Sequence, residues 1–422
     1  MNKYVGLVLG FVMLISIKLY SQTNQINNSS VSADTFKANK SEESQGLSTL
    51  KKVTISGYLQ PQFQIIESNG ASSISGGNFE PNTNNRFIIR RGRLKTTFIT
   101  KNTKCALGLN ATEKGIKLDE IYIVLTLPFL KTVSFTSGIF DRPFGYEIGY
   151  SSSKVESAER SRVLKTLCPD EKDMGIMLTV NPTGPILLNS FTLDAGLFNG
   201  TGPFDRDFDN RKDFIAHLYF NQSAFSDIIK YRLGVSFLSG GFDNQRNNHY
   251  LWNNGFELVS NDSLARATRN FKGIEGELSA KWLLGTTQLR GEYVFGQQSN
   301  SLSSNKTPNT APEAEAVTRD FTGGYLLFLH NFPKNKIQLV AKFDWMDPNS
   351  KISADNTGLL ANTGKADLKY TTTGFGMNYN IDSNLKLLAY YELIMNESST
   401  HLSGYTSDLK DDLFTLRLQY KF

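Results

Sequence analysis

One pattern constrains this chain more than any other, a period-two alternation that recurs over long segments. In residues 53–65, Ile55, Gly57, Leu59, Pro61, Phe63 and Ile65 fall on one side, and Thr54, Ser56, Tyr58, Gln60, Gln62 and Gln64 on the other. Successive side chains of a strand point to opposite faces, so this period means β-strand. With the basic segment 86–100 counted among the strands, the pattern returns at 104–112, 118–127, 132–141, 173–180, 191–199 and 211–220. It continues at 230–238, 271–282, 286–297, 320–331, 336–346, 368–380, 384–395 and 412–422, sixteen segments in all. Their connections alternate between short and long. Short ones lie near 101–103, 128–131, 181–190, 221–229, 283–285, 332–335 and 381–383. Long ones lie near 66–85, 142–172, 239–270, 298–319, 347–367 and 396–411, and the links at 113–117 and 200–210 are shorter members of that series.

An even strand number with tight turns at one end and long polar loops at the other is the pattern of a transmembrane barrel. The expected fold is therefore all-β, a sixteen-stranded antiparallel transmembrane β-barrel. The physical reason is that a bilayer core offers no water, so every N–H and C=O needs a protein partner, which only helices and closed sheets supply. A soluble sandwich shows the same alternation with its apolar face inward, so alternation alone leaves that fold open. Strand length favours the membrane, because soluble strands average about 5–6 residues. So do the aromatics Phe63, Phe129, Phe135, Phe220, Trp282 and Trp345 near strand ends, which suit interfacial girdles. Phe414, Leu416, Leu418, Tyr420 and Phe422 alternate to the terminus. Tyr420 and Phe422 resemble the C-terminal signal by which the barrel-assembly machinery recognises its clients.

Composition removes other classes. No stretch after the N-terminus reaches the roughly 18 apolar residues of a spanning helix. Aromatics make up 12% of the 422 residues and net charge is only +5, which argues against disorder. Both charge signs are spread along the chain, so nucleic acid is not an expected partner. Residues 1–21 carry Lys3 and an apolar run from Val5 to Ile15, too short to span, and read as a signal peptide for export. Residues 22–52 read as a flexible periplasmic linker, poor in large apolar groups. The barrel is expected over 53–422.

Several motifs carry a family resemblance. They are Gly138-Ile139-Phe140-Asp141-Arg142-Pro143-Phe144-Gly145-Tyr146-Glu147, Glu159-Arg160-Ser161, Pro169-Asp170-Glu171-Lys172-Asp173-Met174-Gly175, Phe198-Asn199-Gly200-Thr201-Gly202 and Arg90-Arg91-Gly92-Arg93-Leu94. In order and spacing the chain resembles the phosphate-selective porin (O/P type) family, in a diverged Bacteroidetes-type form. The resemblance implies an outer-membrane location in a Gram-negative bacterium, a homotrimer embedded in outer-membrane lipid, and a third long loop folded into the lumen. Residues 142–172 fit that loop and include a helix-capable stretch, 153–167. The other reading of this loop is a mobile external one.

Permeation needs no cofactor, only a wet lumen and a charge pattern at its constriction. The candidate pore-lining, anion-attracting residues are Arg91, Arg93 and Lys95 on one strand face, with Arg160, Arg162 and Lys165 in the long loop. Arginine suits anions because its planar fork engages two oxygens. Arg90 and Arg91 cannot share a face in a regular strand, so one faces lipid or a partner, or marks a bulge. Glu120, Glu275, Glu277, Glu292, Asp344 and Glu392 are expected on the luminal face against Lys281, Arg290, Lys342, Lys386 and Arg417. That mixture points to a weak anion preference among small ions and solutes. The competing classes are a binding barrel or adhesin with a closed pore and a barrel hydrolase. The latter is disfavoured because His217, His249, His330 and His401 sit in no active-site motif. Asp205, Asp207, Asp209 and Asp213 resemble the start of a calcium loop but lack its turn glycine and final acid. Cys105 and Cys168 read as thiols, and no metal site is expected.

Overall fold

The computed structural model describes residues 52–422 except 186, 245–247, 261–265 and 311–314. The expected signal peptide at 1–21 and, but for Lys52, the linker at 22–52 lie outside the described residues. The first strands are β1 (Lys52–Ile66), β2 (Asn85–Ile99), β3 (Thr103–Thr112), β4 (Gly115–Thr126), β5 (Val133–Asp141) and β6 (Lys172–Val180). Next come β7 (Phe191–Phe198), β8 (Asp213–Ala224), β9 (Ile229–Asp243), β10 (Asn248–Trp252), β11 (Phe256–Ser260) and β12 (Arg266–Trp282). The last are β13 (Gly285–Asn300), β14 (Ala316–Asn331), β15 (Ile337–Asp347), β16 (Tyr370–Asn380), β17 (Leu385–Asn396) and β18 (Leu413–Lys421).

Sixteen of these form a closed antiparallel barrel. Strands β1 to β9 pair in sequence, β9 pairs with β12, β12 to β18 continue in sequence, and β18 returns to β1. The remaining two, β10 and β11, make a hairpin inside the connection from β9 to β12, with a short parallel contact from β10 to the start of β14. Alternation predicts no strands in this region, because five-residue segments are too short to display a period. Strands β9 and β12 also pair beyond the expected 230–238 and 271–282, through Ser239–Asp243 and Arg266–Asn270. Each extension has a single large or small apolar side chain, Phe242 and Ala267, paired with each other and buried, which is too little to show a period.

Which face is inside decides between membrane and sandwich. Along β1, Ile55 is 54% exposed, and Val53, Leu59 and Ile65 are exposed with it, whereas Gln60 and Gln64 are 1% and 0% exposed. The pattern is the inverse of a soluble core, and it holds around the barrel at Ile121, Ile123, Leu233, Ile274, Leu326 and Phe375. An apolar exterior over a polar interior suits a lipid surround. Exposed Phe129, Phe225 and Trp282 lie at or beside the short turns, where a girdle would meet the interface.

The seam closes on the last residue. Gly57 and Phe422 exchange two backbone hydrogen bonds of 3.0 Å each, N–H to carbonyl in both directions. A Cβ on Gly57 would lie 2.6 Å from Cζ of the Phe422 ring, so the ring seats where the glycine has no side chain. Deleting Phe422, or exchanging Gly57 for Val, should weaken this seam. The expected result is a lower temperature for loss of the compact, heat-modifiable band on gels, with deletion of an interior loop residue such as Ser403 as a near-neutral control.

Candidate functional site

The luminal site is built by the connection from β5 to β6, residues 142–171. Its apolar side chains Phe144, Ile148, Val163, Leu164 and Leu167 are buried against Phe271, Phe321 and Met346 of the wall. Glycines make room for it. Gly145 has φ 67° and a Cβ there would overlap the Glu292 carboxylate, while a Cβ on Gly323 would lie 2.6 Å from Val163. The Gly145 N–H donates to Ser236 Oγ at 2.8 Å, and the N–H groups of Tyr146 and Glu147 donate to Glu292 Oε2 at 3.3 and 3.2 Å. On the opposite wall Gln60, Gln419, Lys386, Asn378 and Lys342 donate to carbonyls between Ser152 and Glu159. The loop is thus bonded to strands far apart around the barrel.

Glu159 is the centre of this arrangement. Its carboxylate lies 2.5 Å from Arg90 Nε, 2.9 Å from Arg91 Nη2, 3.3 Å from Arg417 Nη2 and 3.7 Å from Lys165 Nζ. Although burial opposes ionisation, the surrounding cations hold the Glu159 carboxyl well below the usual range. Two adjacent arginines reach one acid because β2 bulges. Gln60 pairs with Arg91 and Pro61 with Ile89, which leaves Arg90 as the extra residue. Proline has no N–H to give the ladder and fits such a point. Of the three options open at the sequence level, the bulge is the one realised.

The same device recurs two strands along. Gly108 pairs with Glu120 and Leu109 with Leu118, so Asp119 is the extra residue of β4. Both acids then meet the ladder of β2, Asp119 at 3.0 Å from Arg93 and Glu120 at 2.5 Å from Lys95. Each of Arg91, Arg93 and Lys95 therefore has a carboxylate partner, which the basic run 86–104 does not reveal. Arg93 and Lys95 line a cavity of about 380 Å3 beside the inward loop, with Lys154, Lys172 and Lys421 against Asp119, Glu120 and Asp141.

The loop candidates divide. Arg160 is buried, with Nη1 2.7 Å from Glu171 and Nε donating to the Glu147 carbonyl at 2.8 Å, so it fastens the loop to itself. Lys165 lies 3.7 Å from both Glu159 and Glu171, and burial pulls its pKa down to about 8. Glu171 sits at about 2, because Arg160 and Lys165 outweigh its burial. Arg162 faces a different cavity at the long-loop end, its guanidinium 4.3 Å from the Tyr370 ring centre. The helix α1 covers only Arg162–Leu167, shorter than the stretch 153–167 that could support one. Glu156 reaches Arg290 while Glu159 reaches Arg91 and Arg417 on another wall. A continuous helix would put Glu156 and Glu159 on one face and forfeit one of these pairs.

Of the luminal residues expected elsewhere, Glu120, Glu275, Glu292, Asp344, Glu392, Arg290, Lys342 and Arg417 are buried inside, whereas Lys281 is exposed. Three of the four calcium candidates have other partners, and Asp205 is exposed. Asp207 pairs with Lys212, Asp209 accepts the Arg211 and Asp243 N–H groups, and Asp213 faces Arg269. Among the described residues no group of three or more acidic, His or Cys side chains is placed to hold a metal, and Cys105 and Cys168 are unbridged.

Solved structures that superpose on this barrel include outer-membrane proteins. OprB of Pseudomonas putida superposes with a TM-score of 0.55 at 9% identity, covering 90% of this chain and 96% of that one. The fold is that of the outer-membrane porins. An anion-selective porin from Comamonas acidovorans gives a TM-score of 0.54 at 9% identity, covering 88% of this chain and 99% of its own. The trimer form of OmpT, an outer membrane protein of Vibrio cholerae, gives 0.50 at 10% identity over 88% and 99%. No family model matches the chain, and no curated protein does.

Glu159→Gln should have two effects. It leaves four cations facing one another in a buried site, which should cost about 3–5 kcal/mol of barrel stability, read as a lower denaturant midpoint. It also frees positive charge in the lumen, which should move the reversal potential under a salt gradient toward the anion side. An unchanged midpoint and an unchanged potential would contradict the central role given to Glu159.

Proposed function

We propose that the protein is an outer-membrane porin that lets small hydrophilic solutes diffuse passively, with a weak preference for anions. The observation that carries this is the closed barrel's apolar exterior around a polar interior in which two cavities hold more cations than carboxylates. The cavity beside Arg93 and Lys95 has five basic residues against three acids, and the long-loop cavity has Arg162, Lys306 and Lys365 against Asp411. The preference is weak because Arg91, Arg93 and Lys95 are each paired. Phosphate is one candidate among several anions, and the motifs resembling the phosphate-selective family support it no further than that.

In this reading the long loops face the exterior, the chain is exported through a cleaved leader, and Tyr420 and Phe422 serve the barrel-assembly machinery. The trimer form of OmpT supports a homotrimer for this chain too. A second reading, a binding barrel with a closed pore, is favoured by one observation: residues 142–171 are hydrogen-bonded to walls on both sides of the lumen.

Liposome swelling separates the two. A porin should admit arabinose faster than glucose and glucose faster than a trisaccharide, with no saturation. Arg93→Gln with Lys95→Gln should leave these neutral rates within about twofold and reduce anion preference, because Asp119 and Glu120 remain. No swelling from protein shown to be folded would support the closed barrel.

A further inference from the structure

The long-loop cavity contains unsatisfied polar groups that the luminal ion pairs do not use. It encloses about 340 Å3 and is walled by four connections and α1, at the small end of ligand pockets, which run about 300–1,000 Å3. Arg162 at its base stacks on Tyr370, and its Nε is buried without a hydrogen-bond partner among the described residues. Asp411 is only 6% exposed, and its Oδ1 is likewise unpartnered. Among the described residues neither of these groups takes part in an ion pair, and nor do the exposed Lys306 and Lys365 at the rim. The remaining lining is rich in hydroxyls and amides, with Ser72, Ser73, Asn78, Ser303, Ser304 and Asn305.

We propose that this cavity is a binding subsite for a hydroxyl-rich monocarboxylate of monosaccharide size, of which a hexuronate is the simplest example. Arg162 would take the carboxylate, since a guanidinium held flat on an aromatic ring presents its N–H edge to two oxygens. The serines and asparagines would take the hydroxyls, and the two lysines would attract the anion from outside. Burial pushes the Asp411 carboxyl up to about 7, with Asp408 and Asp412 adding to the effect and Arg162 opposing it. The other charged or titratable groups lining the cavity around it are Lys306, Lys365, Tyr370 and Tyr405. Protonated, Asp411 donates to a ligand oxygen; ionised, it repels a carboxylate. Binding should therefore tighten as pH falls from 8 to 6.

The subsite rests on the porin reading for its role as a capture point ahead of the loop, but its test does not need conductance. The full chain, folded in detergent, is titrated calorimetrically with D-glucuronate, D-glucose and inorganic phosphate at pH 6 and pH 8. Glucuronate should bind, more tightly at pH 6, with glucose and phosphate weaker by about tenfold or more, the worth of a charge-assisted bond. Arg162→Gln should lower glucuronate affinity about tenfold, Arg162→Lys should lower it less, and Asp411→Asn should keep binding but lose its pH dependence. Heat-modifiability certifies that each variant is folded. Absence of glucuronate binding, binding indifferent to Arg162→Gln, or phosphate binding as tight as glucuronate would overturn the proposal. Glucuronate binding without conductance would sink the porin reading and leave the subsite standing.

Discussion

Every backbone N–H and C=O at bilayer depth needs a partner, and the pairing of β1 with β18 supplies the last row of them. The rest of the architecture depends on that closure. It turns an alternating sheet into a cylinder and fixes which side is which. The side bearing Ile55, Leu59 and Ile65 faces out, and the side bearing Gln60, Gln62 and Gln64 faces in. The two bonds between Gly57 and Phe422 place the chain's last residue in this seam. The C-terminal stripe is therefore part of the wall whatever other role it serves.

Closure creates a second problem, a polar interior holding many charges away from bulk water. Charges in such a site need partners at close range. Residues 142–171 supply them, bringing Glu159 to Arg90, Arg91 and Arg417, and Glu156 to Arg290. Seating the loop and neutralising the walls are thus one event. The same pairing limits how strongly the lumen can favour anions, because the charges that look most available in the sequence are the ones most fully compensated.

The strand plan was legible because a residue facing lipid and a residue facing water differ in kind, and sixteen long segments show it. The hairpin of β10 and β11 was not legible, since it is too short to display a period and lies within a connection. At the site, the basic face of Arg91, Arg93 and Lys95 could be read from spacing alone. Their partners could not. Asp119 and Arg90 enter the lumen through bulges, and a bulge shifts the period by one residue without altering composition. The adjacent like-charged pairs Arg90-Arg91 and Asp119-Glu120 were the available signal, since two charges in a row in a membrane strand require either a bulge or a charge in lipid. The division of the loop into fasteners such as Arg160 and a cavity-facing group such as Arg162 depends on contacts far apart in sequence.

The central claim is an open lumen whose charge is mostly, but not fully, compensated. The reversal potential of the purified, folded protein in a planar bilayer under a KCl gradient tests it most directly. The account predicts steady conductance steps with a small reversal on the anion side. A cation-side reversal, or no conductance from protein shown to be folded, would contradict it.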